Sequence, residues 1–182
     1  MIIFFFACKK EEVAVPDKTG NISFSLGYEA DGQAIITDTI KYPIDAGYLI
    51  SVVTLNYYLS EVKLIRSDGV EVLVKDFHYA SLNDTATNVV SCSSALQGTY
   101  KGISFNIGID SAHNVPDGLP NTTDNNNMIW PIPMGGGYHF MKFEGYFSDS
   151  TGTFGYAMHI GKNENLVKIN LDKNFTIGDN AI

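Results

Sequence analysis

Several short stretches of this chain alternate apolar with polar or small residues at a period of two. Ile22, Phe24, Leu26 and Tyr28 form one set, Ile103, Phe105, Ile107 and Ile109 a second, and Val167, Ile169 and Leu171 a third. Successive side chains of a strand point to opposite faces, so each set marks one face of a β-strand. The same reading predicts strands over 34–40, 48–54, 57–66, 70–77, 137–147 and 153–160. Turn signals separate them: Asp31-Gly32, Asp45-Ala46-Gly47, Ser67-Asp68-Gly69 and Ser150-Thr151-Gly152. Asp68-Gly69 between two apolar runs predicts a hairpin. Many short strands with regular turns predict an all-β fold, an antiparallel two-sheet β-sandwich with long irregular loops and little helix.

Two segments break the rhythm. Residues 80–97 are rich in Ser, Asn, Thr and Ala and read as a loop or one short helical turn. Residues 110–136 form a long connection that carries Pro116, Gly118, Pro120, the run Asn125-Asn126-Asn127 and the only tryptophan, Trp130. Long irregular loops inside compact domains are often functional. The whole of 21–182 is expected to be one domain, since 182 residues supply one full core. Twelve basic against twenty acidic residues give a net charge of −8, with no basic run in the body of the chain. That argues against nucleic acid, whose binding rests on phosphate neutralisation.

The first eight residues are an apolar run that ends in Ala7-Cys8, followed at once by Lys9-Lys10-Glu11-Glu12. This resembles the end of a bacterial lipoprotein signal, in which Cys8 receives lipid, with 9–20 as a tether. The expected location is then the envelope of a Gram-negative bacterium, with the membrane as partner through the anchor on Cys8. The Lys-Lys-Glu-Glu tetrad resembles an export tag for surface display. Cys92 has no second cysteine for an internal disulfide once Cys8 is lipidated, and reads as a small core hydrophobe.

Motifs that carry chemistry are sparse. No GxSxG, no phosphate-binding loop and no dinucleotide fingerprint is present, and no HExxH or HxxxH pairing places two histidines on a helix face. The chain is expected to be a binding protein, not an enzyme. Its four histidines are His78, His113, His139 and His159. On the predicted strand 137–147, His139, Met141 and Phe143 share a face. On 153–160, His159 shares a face with Gly155 and Ala157, while Phe154, Tyr156 and Met158 occupy the other. Imidazole and thioether suit copper, above all Cu(I). Two other readings stay open: a metal-free module that holds a glycan or partner protein through the Trp130 loop, and calcium among the oxygens of Asp110–Asp124.

The segment Leu55-Asn56-Tyr57-Tyr58-Leu59-Ser60-Glu61-Val62-Lys63-Leu64 resembles a motif of the MbnP-like family. So do Gly98-Thr99-Tyr100-Lys101-Gly102-Ile103-Ser104-Phe105, continuing to Asp110, and Met128-Ile129-Trp130. Gly137-Tyr138-His139-Phe140-Met141 and Tyr156-Ala157-Met158-His159-Ile160-Gly161 follow in the family's order. The resemblance implies a periplasmic or surface protein that binds copper through histidines near an oxidisable tryptophan. It implies further that a dihaem peroxidase-like partner converts that tryptophan to kynurenine. It carries over Trp130 and His159 directly, and places His78 where relatives often have a histidine. Gly27 and Tyr28 stand where relatives carry a further histidine, which leaves His139 and Met134 as replacement candidates.

Overall fold

The computed structural model describes residues 18–178. Cys8, the expected leader and nearly all of the expected tether lie outside the described residues. The strands are β1 (Thr19–Ser25), β2 (Glu29–Ala30), β3 (Gln33–Ala34), β4 (Tyr42–Pro43), β5 (Leu49–Ile50), β6 (Thr54–Arg66), β7 (Glu71–Ser81), β8 (Val89–Leu96), β9 (Gly98–Ile107), β10 (His139–Asp149), β11 (Gly152–Gly161) and β12 (Val167–Ile177). One short helix, α1 (Thr123–Asn127), sits in the long connection.

β6 is the axis of the molecule. β7 runs along one edge of it. The other edge forks: Thr54 to Tyr57 pair with β10, and Leu59 to Arg66 pair with β9. β11 extends the β10 arm and β12 the β9 arm, and every pairing is antiparallel. β1 and β8 form a separate two-stranded ribbon that lies across one face of this eight-stranded sheet. The expected all-β sandwich is present, with one layer much larger than the other.

A bulge keeps β6 amphipathic along its 13 residues. Glu61 takes a positive φ of 48°, and the register shifts between Ser60 and Lys63. A one-residue shift exchanges the faces of a strand, so Leu59 before the bulge and Val62 after it point to the same layer. The Glu61 carboxylate accepts from Asn106 Nδ2 at 2.8 Å and from Lys63 Nζ at 3.1 Å, which holds the bulge. Toward the ribbon, Leu64, Tyr100, Ile177 and Ala95 pack with half-buried Cys92. Cys92 is thus a packing residue and carries a free thiol.

The opposite face of the sheet is covered by the long connection, not by strands. Tyr58, Ile109, Leu119, Met128, Tyr138 and Phe140 form one buried cluster there. An irregular segment can cover a core only if its polar groups are satisfied. Tyr58 donates from its hydroxyl to Asn125 Oδ1 at 2.7 Å, and Asn125 Nδ2 donates to the Pro120 carbonyl at 2.8 Å. Leu119 N donates to the Tyr138 hydroxyl at 3.1 Å. Gly108 sits at the fork with φ 114°, and a Cβ there would meet the Phe140 ring at 2.4 Å. Only glycine allows that approach.

Three expectations need correction. The predicted strand 34–40 keeps only Ala34 as strand. Beyond it the Tyr42 hydroxyl accepts from Ile36 N at 2.6 Å, so a side chain replaces the neighbouring strand. The predicted strand 48–54 is strand only at Leu49–Ile50 and at Thr54. Residues 80–97 were expected to be loop or helical turn. They hold the end of β7, a 3-10 turn over Thr85–Asn88, and the whole of β8, which pairs with β1.

Candidate metal centre

Trp130, His139 and His159 meet where β10 begins and β11 ends. The strands bring the two histidines together through a register shift between His139 and Met141. Lys142 is the cross-strand partner of His159, so these two share a face, and Met141 shares the other face with its own partner Ile160. The shift moves His139 onto the His159 side, where the two rings lie 4.8 Å apart at 68°. The expected common face of His139, Met141 and Phe143 is therefore broken by one extra residue.

The connection before β10 closes over this pair. His139 N donates to the Met128 carbonyl at 2.6 Å, and Trp130 N donates to the Gly137 carbonyl at 2.8 Å. These two bonds fold Trp130 back onto His139, with ring centroids 4.6 Å apart at 65°. The indole Nε1 donates to the Met134 carbonyl at 3.1 Å. Gly161 floors the indole: a Cβ there would lie 2.7 Å from Trp130 Cε3. Trp130 is only 8% exposed and His139 only 7%.

The two imidazoles differ in their partners. His159 Nε2 lies 2.6 Å from Glu144 Oε1. A carboxylate oxygen accepts, so Nε2 is the donor in this pair and Nδ1 is the nitrogen that could meet a metal. This carboxylate–imidazole pairing is the usual support of a metal-bound histidine. The Nδ1 atom of His139 is buried and has no hydrogen-bond partner. Burial pushes the His139 imidazole down to about 4, the positive charges of Lys142 and His159 push the same way, and Glu144 opposes them. His139 is thus neutral at physiological pH, the form in which imidazole binds metal. Two imidazoles beside an aromatic wall, with the His139 Nδ1 orphaned in the interior, fit a soft or borderline ion such as copper.

Glu144 was not singled out from the sequence. A hairpin through Ser150-Thr151-Gly152 sets the register that brings it diagonally opposite His159, and that turn was legible. His78 is not part of the cluster. It lies on β7, with β6 between it and β10, and its Nε2 is 2.7 Å from the Thr87 carbonyl, which clips β7 to the 3-10 turn. Met134 is 55% exposed and meets the site through its main-chain carbonyl. Met158 is also about half exposed, and Met141 is half-buried on the face opposite the histidines.

The described residues contain one group of three His, Cys, Asp or Glu side chains with ligand atoms within 4.8 Å of one another: Asp76, Asp110 and His113. Of the carboxylates between Asp110 and Asp124, only Asp110 belongs to it, so the loop's carboxylates are not gathered at one point. Both ring nitrogens of His113 already face carboxylates: Nδ1 lies 2.7 Å from Asp110 Oδ2, and Nε2 3.5 Å from Asp76 Oδ2. The group reads as an ionic clip between β7 and the connection. The hydrogen bond to Asp110 raises the His113 pKa above 6.5, against a smaller effect of burial, with Asp76 adding to the rise. Burial raises the Asp110 pKa, but the bonds from His113 and the backbone outweigh it and the net shift is down.

A pKa higher in the folded state gives stability that is complete below the unfolded value near 6.5 and lost as pH rises through the folded value. The unfolding free energy from urea titration is therefore expected to fall between pH 6 and pH 8.5, by no more than about 1 kcal/mol for so accessible a pair. His113→Asn flattens that slope. An unchanged slope in the variant contradicts the clip.

The sequence profile of the MbnP family matches residues 19–181. Among solved structures, MbnP from Methylosinus trichosporium superposes with a TM-score of 0.58 at 14% identity, over 89% of this chain and 73% of that one. No curated protein matches. The chain belongs to the MbnP family, a family associated with copper and methanobactin, and shares its fold.

Proposed function

We propose that this chain is a copper-binding protein of the cell envelope, and that its histidine ligands are His139 and His159. The observation that carries this reading is the buried, unpartnered Nδ1 of His139, on a ring that packs against both the Trp130 and the His159 rings. Leaving a polar atom without a partner in the interior is costly, and a bound ion removes that cost. Glu144 orients His159, and Lys142 on the same face closes the connection by donating from Nζ to the Asn127 carbonyl at 2.5 Å. Family membership supports the choice of metal. The protein binds and does not catalyse in this reading, with Trp130 as the residue a dihaem peroxidase-like partner would oxidise. Lipid on Cys8 would tether it to the outer membrane.

The glycan alternative is less well supported. A sugar stacks on an exposed aromatic face, and Trp130 is 8% exposed, packed against His139 and Gly161.

Titration of the full chain with Cu(I) against a chromophoric chelator tests the proposal. One ion per chain at a dissociation constant below about 1 μM is expected. Failure of the protein to compete with the chelator at that level overturns it.

A further inference from the structure

The ribbon of β1 and β8 closes onto only part of the large sheet, around Ala95, Leu64 and Tyr100. Between them lies a cavity of about 500 Å³, bounded by β1 and β8 on one side and by β6, β9, β10 and β12 on the other. The residues that should be the centre of a sandwich are only half-buried there, among them Phe24, Leu26, Ile103, Phe105 and Ile107. Interiors of folded domains are close-packed, with few voids larger than a water molecule. This hollow opens to solvent, so its apolar lining faces water, which gains few hydrogen bonds there.

The lining is almost wholly apolar and contains no Lys, Arg, His, Asp or Glu. A ligand with a carboxylate or phosphate inside would find no counter-charge, and an ammonium group no acceptor charge. The polar exceptions are Ser25 and the phenols of Tyr28 and Tyr57, which meet edge-on at 6.2 Å. The Tyr28 hydroxyl is fixed by its donation to Asn88 Oδ1 at 2.8 Å. Ligand pockets have this size and character: mostly apolar, with a few placed polar groups that orient the guest.

From the size of the cavity, its uncharged lining and the paired phenols we infer that it binds an uncharged single-chain amphiphile. The aliphatic chain lies between ribbon and sheet, and a hydroxyl or carbonyl end lies at Tyr28 and Tyr57. This site is on the opposite face of the sheet from the His139–His159 pair, and it does not depend on the copper reading.

N-phenyl-1-naphthylamine, an uncharged fluorescent hydrophobe, is the probe. The full chain is expected to bind it saturably, one per chain, at about 10 μM or tighter. Dodecanol should displace it at least tenfold more effectively than dodecanoate, because the lining offers no counter-charge. Val90→Trp fills the cavity from β8 and should weaken probe binding at least tenfold with Cu(I) affinity unchanged. Leu26→Trp makes the same test from β1, at a half-buried position that tolerates bulk. Non-saturable probe binding, equal displacement by dodecanoate, or full binding in a folded tryptophan variant each overturns the inference.

Discussion

His139→Ala is expected to weaken Cu(I) binding at least a hundredfold, about 2.7 kcal/mol. The substitution removes the one side-chain nitrogen that, among the described residues, is buried without a partner. It leaves His159 with Glu144, a single imidazole, and a single imidazole holds copper weakly against any chelator. His159→Ala should act in the same direction, by at least tenfold. The two effects differ because His139 is buried behind Trp130 while His159 is part-exposed and can be replaced by solvent or buffer ligands. Competitive titration reads both. The apo form of His139→Ala should be no less stable than wild type, since the variant also removes an unsatisfied buried atom. A large loss of affinity together with a collapse of stability would mean that the histidine serves packing and not metal.

The largest effect on stability is expected from Phe140→Ala. Phe140 is buried at the fork of β6, against Tyr58, Ile109 and Tyr138, and Gly108 presses on its ring. Truncating a buried phenylalanine costs about 3–5 kcal/mol, because the surrounding structure closes only part of the hole. At roughly 3 °C per kcal/mol for a domain of this size, the melting temperature should fall by about 10 °C. Phe140 follows His139 directly and anchors the start of β10, so the copper affinity of the folded variant should fall as well. A shift of only a degree or two would show that the long connection, not this ring, holds the two arms of the sheet.

Much of the fold was legible because burial imposes period two. β9 and β12 followed directly from Ile103, Phe105, Ile107 and from Val167, Ile169, Leu171, and Asp68-Gly69 marked the β6–β7 hairpin. β8 was not legible. Its run Ser91-Cys92-Ser93-Ser94-Ala95 offers small residues on both faces, so it has too little contrast to read as a strand. Strand 34–40 failed for the opposite reason. Its apolar residues are real, but Tyr42 satisfies the backbone of Ile36 and no ladder forms.

The site was half legible. His159 and Trp130 came from the resemblance to the MbnP family. His139 was placed on the wrong face, since a bulge is one inserted residue with no fixed sequence signal and it exchanges every face beyond it. The link between Glu144 and His159 needed a register, and a register needs the turn and the bulge together. His78 stands at a plausible position along the chain, yet β6 separates it from His139 and His159.

Anomalous scattering at the copper edge, from crystals of the copper-loaded full chain, tests the central claim most directly. The account predicts one peak, bonded to His139 Nδ1 and His159 and beside the Trp130 ring. A peak instead among Asp76, Asp110 and His113, or none at the His139–His159 pair, would contradict it.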